Sequence, residues 1–449
     1  MPNPKFSEIA ETLLEAAAKA GAGEADVVIF DGVTQSIDVR GGALERAERA
    51  EGIDIGLRVI LGQKQATVAS SDGAPDALVT MAERAVAMAK EAPDDPHVGL
   101  ANSDQLARDV SVEALELFDP SDEPSPADLQ EDARRAEAAA LAVDGVSTMD
   151  GSSASYSSRS AYLAASNGFS GGFTQTTRAV SAVAISGEGT GMERDYAFDF
   201  RVFQGDLDAP EDIGRLAGER AVARAGAKKP PTGAYPVVYD ERVSSSLIGH
   251  LLAAINGGSV ARGASWLRDA MGEAVFPSGL SVIEDPLLAR RSGSRPFDAE
   301  GLATSRRALV EDGVLQSWVL DLATARKLGL ESTGNAVRGT SGPPSPSVTN
   351  IWLTEGAQDR AGLLADMGTG LLITSMIGSS INPTTGDYSR GASGYWVENG
   401  EITYPVNECT VAGNLRDMLM TMRPANDARH HMARAVPSVL IEGLTIAGA

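Results

Sequence analysis

Four histidines, one cysteine and a few glycine-flanked polar segments are where residue type and spacing in this 449-residue chain suggest chemistry. A hydrolytic zinc site on a helix needs two histidines about one turn apart, so that both imidazoles converge on one ion, with a glutamate beside the first as general base. His97, His250, His430 and His431 offer no such pair. His250 lies in a helix-like run, "SSSLIGHLLAAINGG" (residues 244–258), but the residue after it is Leu251 and the residue one turn on is Ala254. On a helical wheel Leu247, Ile248, Leu251, Leu252 and Ile255 form the buried stripe, and His250 falls off its centre beside Ser246, Ala253 and Ala254, a packing position for an imidazole. His430 and His431 are adjacent, and neighbouring side chains diverge in a regular element. Cys409, in "YPVNECTVAGNL", alternates with apolar neighbours as a buried strand residue does.

Two further segments imitate motifs. "GFSGG" (168–172) has the G-x-S-x-G form of a nucleophile elbow, but strand-like sequence follows where a helix is required, so it reads as a hairpin turn. "GEGTGM" (187–192) precedes acidic, strand-like "ERDYAFDF", where a phosphate loop would open a helix, and it reads as a turn too. The densest polar cluster is "NPTTGDYSRGASGYWVENGEITYPV" (382–406), which packs Asp387, Tyr388, Ser389, Arg390, Tyr395 and Trp396 between glycines. Such a segment makes tight hairpins, or lets an extended peptide add to a sheet edge.

The elements that must position these residues are legible from periodicity. Residues 6–20 have helical spacing of Ile9, Leu13, Leu14 and Ala17. Segments 25–42 and 52–71 alternate apolar and polar residues with glycine breaks, as antiparallel hairpins do, and an Ala-rich helix follows. After the loop "FDPSDEPSPADLQED", which ends by capping a helix, the same order recurs, closing on a D-x-x-E helix start at Asp208, Pro210 and Glu211. "AKKPPTGAYPVVYD" (227–240) marks the main boundary. The expectation is an α+β chain. Residues 1–230 form an N-terminal antiparallel-sheet and helix region of two strand-rich units, about 1–118 and 119–230, followed by a strand-rich C-terminal domain, 231–449.

Composition narrows the function classes. A formal charge of −23 opposes contact with nucleic-acid backbones and with anionic membrane surfaces. One cysteine excludes an intrachain disulfide. Glu8 and Glu11 interrupt what would be a signal peptide, and no run reaches the ~20 apolar residues of a membrane span, so a cytoplasmic location is expected.

Read as a whole, the C-terminal half carries "GGSVARGASWLRDAMGE", "PFDAEGLATSRRALVEDGVL", "STGNA", "ADMGTGLLITSMIG", "TTGDYSRGASGYWVENGEITYPV", "VAGNLRDM" and "LTIAG" in that order. It resembles the TldD/PmbA family, more closely the PmbA (TldE) branch. The resemblance implies a C-terminal domain of that type in a cytosolic peptidase system acting on unfolded polypeptides, including microcin precursors and antitoxins. A TldD-type subunit of that system holds zinc on an H-E-x-x-x-H helix plus a C-terminal cysteine, and a TldE-type subunit pairs with it. Counted back from "RGAS" (262–265), the two ligand positions fall near Ile248 and Ala253, both apolar, with His250 out of register; "NDARHHMARAVPSVLIEG" contains no cysteine. The resemblance thus implies no metal or catalytic residue in this chain, with zinc in a TldD-type partner. Substrate contacts are expected at Asn335, Asp387, Tyr388, Ser389, Arg390 and Tyr395. The partners expected are that subunit, unfolded peptides and, for the isolated chain, a second copy. Two other readings stand beside this one: an autonomous hydrolase built on His250, and a non-enzymatic protein-binding regulator, since the family also carries a label as a modulator of DNA gyrase.

Overall fold

The computed structural model describes residues 4–108 and 111–448. The first apolar-periodic run forms α1 (Pro4–Ala20), burying Phe6, Ile9, Leu13 and Ala17. Three antiparallel strands follow, β1 (Glu24–Arg40), β2 (Ala43–Leu61) and β3 (Lys64–Ser70), and then α2 (Pro75–Glu91). The Pro/Asp/Ser-rich loop ends in a capping box: the Ser125 hydroxyl accepts from the Asp128 N–H, and the Asp128 carboxylate accepts from the Ser125 N–H. It opens α3 (Pro126–Leu141), followed by β4 (Val146–Ala165), β5 (Ser170–Ser186), β6 (Glu193–Arg201) and α4 (Pro210–Ala223). Each unit is therefore helix, three strands, helix. The two units interlock, because β1 pairs with β4 from Asp26↔Ala165 to Val39↔Ser152, giving one sheet of order β3-β2-β1-β4-β5-β6. Helices α1 and α2 cover one half of the sheet and α3 and α4 the other, each with its own apolar cluster.

"GFSGG" and "GEGTGM" lie at the β4–β5 and β5–β6 turns. Two sequence expectations are corrected. Asp208 does not cap α4: Ala209 holds that position without a side-chain bond, Pro210 supplies the start, and the Asp208 N–H donates to Asp199 Oδ2 at 3.1 Å. And β2 begins at Ala43, not near residue 52.

The C-terminal domain opens on β7 (Gly233–Tyr239), α5 (Glu241–Ala254) and α6 (Gly257–Ala261). A smaller sheet, order β10-β9-β8-β13-β18, is built from β8 (Val282–Glu284), β9 (Arg307–Glu311), β10 (Val314–Leu315), β13 (Ile351–Leu353) and β18 (Arg434–Ala435). Between its strands lie α7 (Leu322–Leu328) and the pair β11 (Ala336–Val337) and β12 (Ser345–Pro346). The larger sheet, order β16-β15-β14-β7-β19-β17, adds β14 (Gly370–Ile381), β15 (Asp387–Glu398), β16 (Glu401–Asn414), β17 (Arg423–Pro424) and β19 (Val439–Ala447). β16 also pairs with β19, so the strands partly close on themselves. α8 (Arg360–Met367) packs outside this sheet and α9 (Leu415–Met420) at its end, while α5 packs into the main core with Leu247, Ile248, Leu251 and Ile255 all fully buried. Among the described residues no helix is long and apolar enough to cross a membrane.

The domain sits on the N-terminal sheet through buried charge. Asp26 of β1 accepts from Arg58 Nε at 2.9 Å and from Arg338 of the C-terminal domain, and all three side chains are buried. The loop after Arg338 lies flat on the sheet: a Cβ on Gly56 would fall 2.5 Å from the Thr340 carbonyl oxygen. Farther along, Arg242 of α5 donates to Asp195 of β6 at 2.9 Å.

Candidate functional site

The site is made where a strand stops early. β7 pairs with β14 only from Val237↔Leu371 to Tyr239↔Ile373. At Asp240 the chain turns away: its N–H donates to Ile373 O at 2.9 Å, and its carboxylate accepts from the Arg242 N–H, capping α5. Among the described residues, residues 374–381 of β14 therefore have β15 on one side and no strand on the other. Ile377 on this free stretch is 77% exposed, and Gly378, Ser379 and Ser380 are exposed beside it.

Helix α5 runs beside that edge and turns a small-residue face toward it. Ser245, Ser246, Gly249 and His250 are half-buried and Ala253 is exposed. The His250 ring meets the Tyr388 ring at 5.8 Å in a T-shaped contact, and its Nε2 is buried without a hydrogen-bond partner. Tyr239 donates its hydroxyl to Tyr388 Oη at 3.4 Å, and Ser246 Oγ and Tyr388 Oη both approach Met376 Sδ, at 3.9 and 3.8 Å. Arg390 Nε donates to Gly378 O at 2.7 Å, bracing the strand edge. The Arg434 guanidinium lies 3.4 Å from where a Cβ would stand on Gly249. Among the described residues neither arginine has a carboxylate partner.

Burial, and secondly the charge of Arg390, pushes the His250 imidazole below its ordinary range, so it is neutral near pH 7. Burial pushes Tyr388 up to about 12 and Tyr239 well above a free phenol. The site thus offers neutral donors and acceptors beneath an unpaired strand edge, framed by two cations.

These residues do not fit a zinc ion. Around His250 stand phenols, a thioether and a guanidinium, and a neighbouring guanidinium opposes a dication. Among the described residues no group of three or more His, Cys, Asp or Glu is placed to hold a metal.

The two counted ligand positions differ in burial. Ile248 is fully buried in the core while Ala253 is exposed, so they do not share an outlook.

Of the expected substrate residues, Tyr388 and Arg390 lie on the α5 side. Tyr395 lies on the opposite face, near Asp195 and Arg224, and packs against the cluster that includes α8. Asp387 is exposed and accepts from Thr385 Oγ1 and Asn414 Nδ2, fastening the β14–β15 turn; Ser389 pairs with Ser380 in the ladder. Asn335 is elsewhere and committed: buried, it donates to Glu284 Oε1 at 2.8 Å and Ser347 O at 3.1 Å and accepts from Thr333 and Arg307. His430 and His431 do diverge, His430 toward Glu355 at 3.2 Å and His431 toward Asp199 at 3.1 Å. Cys409 is buried, its thiol pushed up to about 11, and donates to Ala392 O. The sequence reading missed Tyr239, Met376 and Ile377; the change from apolar to Gly/Ser at "MIGSSI" is the signal that marks where β14 loses its cover.

Comparison with known proteins agrees across the chain. Residues 25–89, 119–225 and 232–448 match, in order, PmbA/TldA metallopeptidase domain 1, central domain and C-terminal domain. The chain is 36% identical over 445 residues to the metalloprotease PmbA of Escherichia coli O157:H7, covering 99% of this chain and 96% of that one. In structure it is similar to a protein of Bacteroides thetaiotaomicron described as a candidate modulator of DNA gyrase, with a TM-score of 0.92, 27% identity and complete coverage of both chains. It shares its fold with TldE of Thermococcus kodakarensis, at a TM-score of 0.84 and 20% identity over 98% of this chain and 99% of that one. In sequence over its whole length, and in architecture, this chain belongs to the PmbA/TldD family of metallopeptidases.

Proposed function

We propose that this chain is the PmbA/TldE-type subunit of a two-subunit cytoplasmic peptidase, and that it holds an unfolded peptide for cleavage at a zinc carried by a TldD-type partner. The observation that carries this reading is the unpaired stretch of β14 beside α5. An extended peptide can add there as a strand through backbone hydrogen bonds, which recognise any sequence, while Ile377, Tyr388 and Arg390 meet its side chains. That mode suits unfolded substrates such as microcin precursors and antitoxins. Apolar residues at the counted positions Ile248 and Ala253, and the charge of Arg390 acting on His250, support a scaffold role for α5 in place of metal chemistry.

The test is reconstitution. Purified alone, the chain is expected to hold far less than one zinc per molecule and to leave an unstructured peptide intact, and cleavage is expected to begin when a TldD-type subunit is added. Tyr388→Ala with Arg390→Glu should then reduce cleavage by the pair while the two subunits still associate. Cleavage by the pure chain that is lost in His250→Ala would overturn the reading in favour of an autonomous hydrolase. Failure to bind any TldD-type subunit would favour a binding protein without peptidase function.

A further inference from the structure

Where the C-terminal domain meets the N-terminal sheet, the two surfaces do not close fully on each other. A cavity of about 150 Å³ lies between them, walled by Val28 and Phe30 of β1, Leu163 of β4 and Phe173 of β5 on one side and by Phe297 and Val337 on the other. Much of this wall is aromatic: the Phe297 ring meets Phe173 edge-on at 6.0 Å and Phe169 at 5.0 Å. An apolar cavity of that size admits one benzene-sized group.

The rest of the lining is charged. Arg295 and Arg338 both border the cavity, and each keeps one buried nitrogen without a hydrogen-bond partner, Nε of Arg295 and Nη2 of Arg338. Folded proteins pair nearly all their buried donors, so an orphaned guanidinium N–H calls for an acceptor. The acceptors at hand are committed elsewhere. Asp26 already serves both Arg58 and Arg338. Asp298, on the same lining, accepts from the N–H groups of Glu300, Leu302 and Ala336. Burial pushes its carboxyl up, which weakens it as a counter-ion, and Glu300 is raised in the same way. Among the described residues Arg295 has no carboxylate partner, only the carbonyl oxygens of Ala336 at 3.3 Å and Ser347 at 3.0 Å.

We propose that this cavity binds a small monocarboxylate carrying one benzene-sized apolar group, with the ring among Phe30, Phe173 and Phe297 and the carboxylate on Arg295 and Arg338. The planar fork of arginine suits a carboxylate, which it can hold through two parallel bonds. Both orphaned nitrogens are shielded from solvent, and a small turn of either guanidinium presents them to the cavity. A ligand seated there touches β1, β4 and β5 on one side and residues 295–299 and 336–338 on the other, so binding fastens the domain junction. Two sources share this chemistry, a free arylalkanoate and the C-terminal residue of a peptide that ends in phenylalanine.

The experiment is calorimetric titration of the full chain with 3-phenylpropionate, its neutral amide and the tripeptide Gly-Gly-Phe. The propionate should bind once per chain and raise the melting temperature, and the amide should bind at least about tenfold more weakly. Tripeptide binding as tight as that of the propionate would make peptide C-termini the source; propionate binding alone would make it the free acid, and both results uphold the site. Ala161→Phe fills the cavity from the sheet and Val337→Phe from the opposite wall, so a folding defect in one leaves the other to be read. Each folded variant should lose binding. Neither carboxylate bound at about 10 mM, equal affinity for the amide, or undiminished binding by a folded, filled variant would overturn the proposal. These outcomes are independent of whether β14 presents peptides.

Discussion

The free edges of β2 and β14 are built from opposite materials. Among the described residues β3 covers β2 only from Ile55 to Leu61, and residues 43–52 beyond it are rich in charge and exposed on both faces. β14 offers a short Gly/Ser stretch braced by Arg390 and backed by neutral, buried phenols. Charges along an open edge discourage stray strands from pairing with it. An edge that must take many peptides does better with backbone groups and a few adaptable side chains. The clearest way to test the contrast between the two edges is to damage one while reading both.

The largest effect is expected at the junction that holds the β14 domain on the β2 sheet. Asp26→Ala leaves Arg58 and Arg338 buried without their shared anion, and should cost about 3–5 kcal/mol in denaturant unfolding. If peptide processing falls while the β1–β2 pairing keeps its hydrogen-exchange protection, the edges work separately; a joint loss would make them one unit. Next comes Gly394→Ala in β15, whose added Cβ would stand 1.9 Å from the Leu372 carbonyl oxygen. It should lower stability by about 1–3 kcal/mol and abolish processing by distorting β14, with the protection of the β1–β2 pairing unchanged.

A third test uses pH. Glu300, buried near the same junction, is pushed up to about 8 by desolvation, with the neighbouring Asp298 raised as well. The folded chain therefore keeps this proton between 4.5 and about 8, where the unfolded chain has released it. The folded state binds more protons across that window, so stability should fall as pH rises through it, by up to about 1.4 kcal/mol per pH unit. Glu300→Gln should flatten that slope. The smallest effect on stability, within about 0.5 kcal/mol, is expected for the exposed Ile377→Asp. It should nevertheless lower processing of apolar peptides, and equal processing would show that the edge reads backbone alone.

Much of this architecture is legible in the residues. The stripe Leu247, Ile248, Leu251, Leu252 and Ile255 is buried as helical periodicity requires, and the Ser125 box sits where its spacing places it. The failures have physical causes. "ALERAERAE" has helical propensity throughout, and only its pairing with β1, a tertiary contact, makes it a strand. The His250–Tyr388 contact joins residues far apart in sequence, and nothing local to either announces the other.

The pairing of β7 with β19 also sets an order of events during synthesis. The strand that opens the C-terminal domain pairs with the strand that closes it, from Gly233↔Ile446 to Tyr239↔Val439. During synthesis β7 emerges about 200 residues before β19, and the edge that β19 will cover stays unpaired until that nine-residue strand follows. Folding of this domain is therefore dominated by contacts of high sequence separation, and slow for its size. A nascent chain stalled before Val439 would expose an aggregation-prone strand, a period in which a chaperone finds its target.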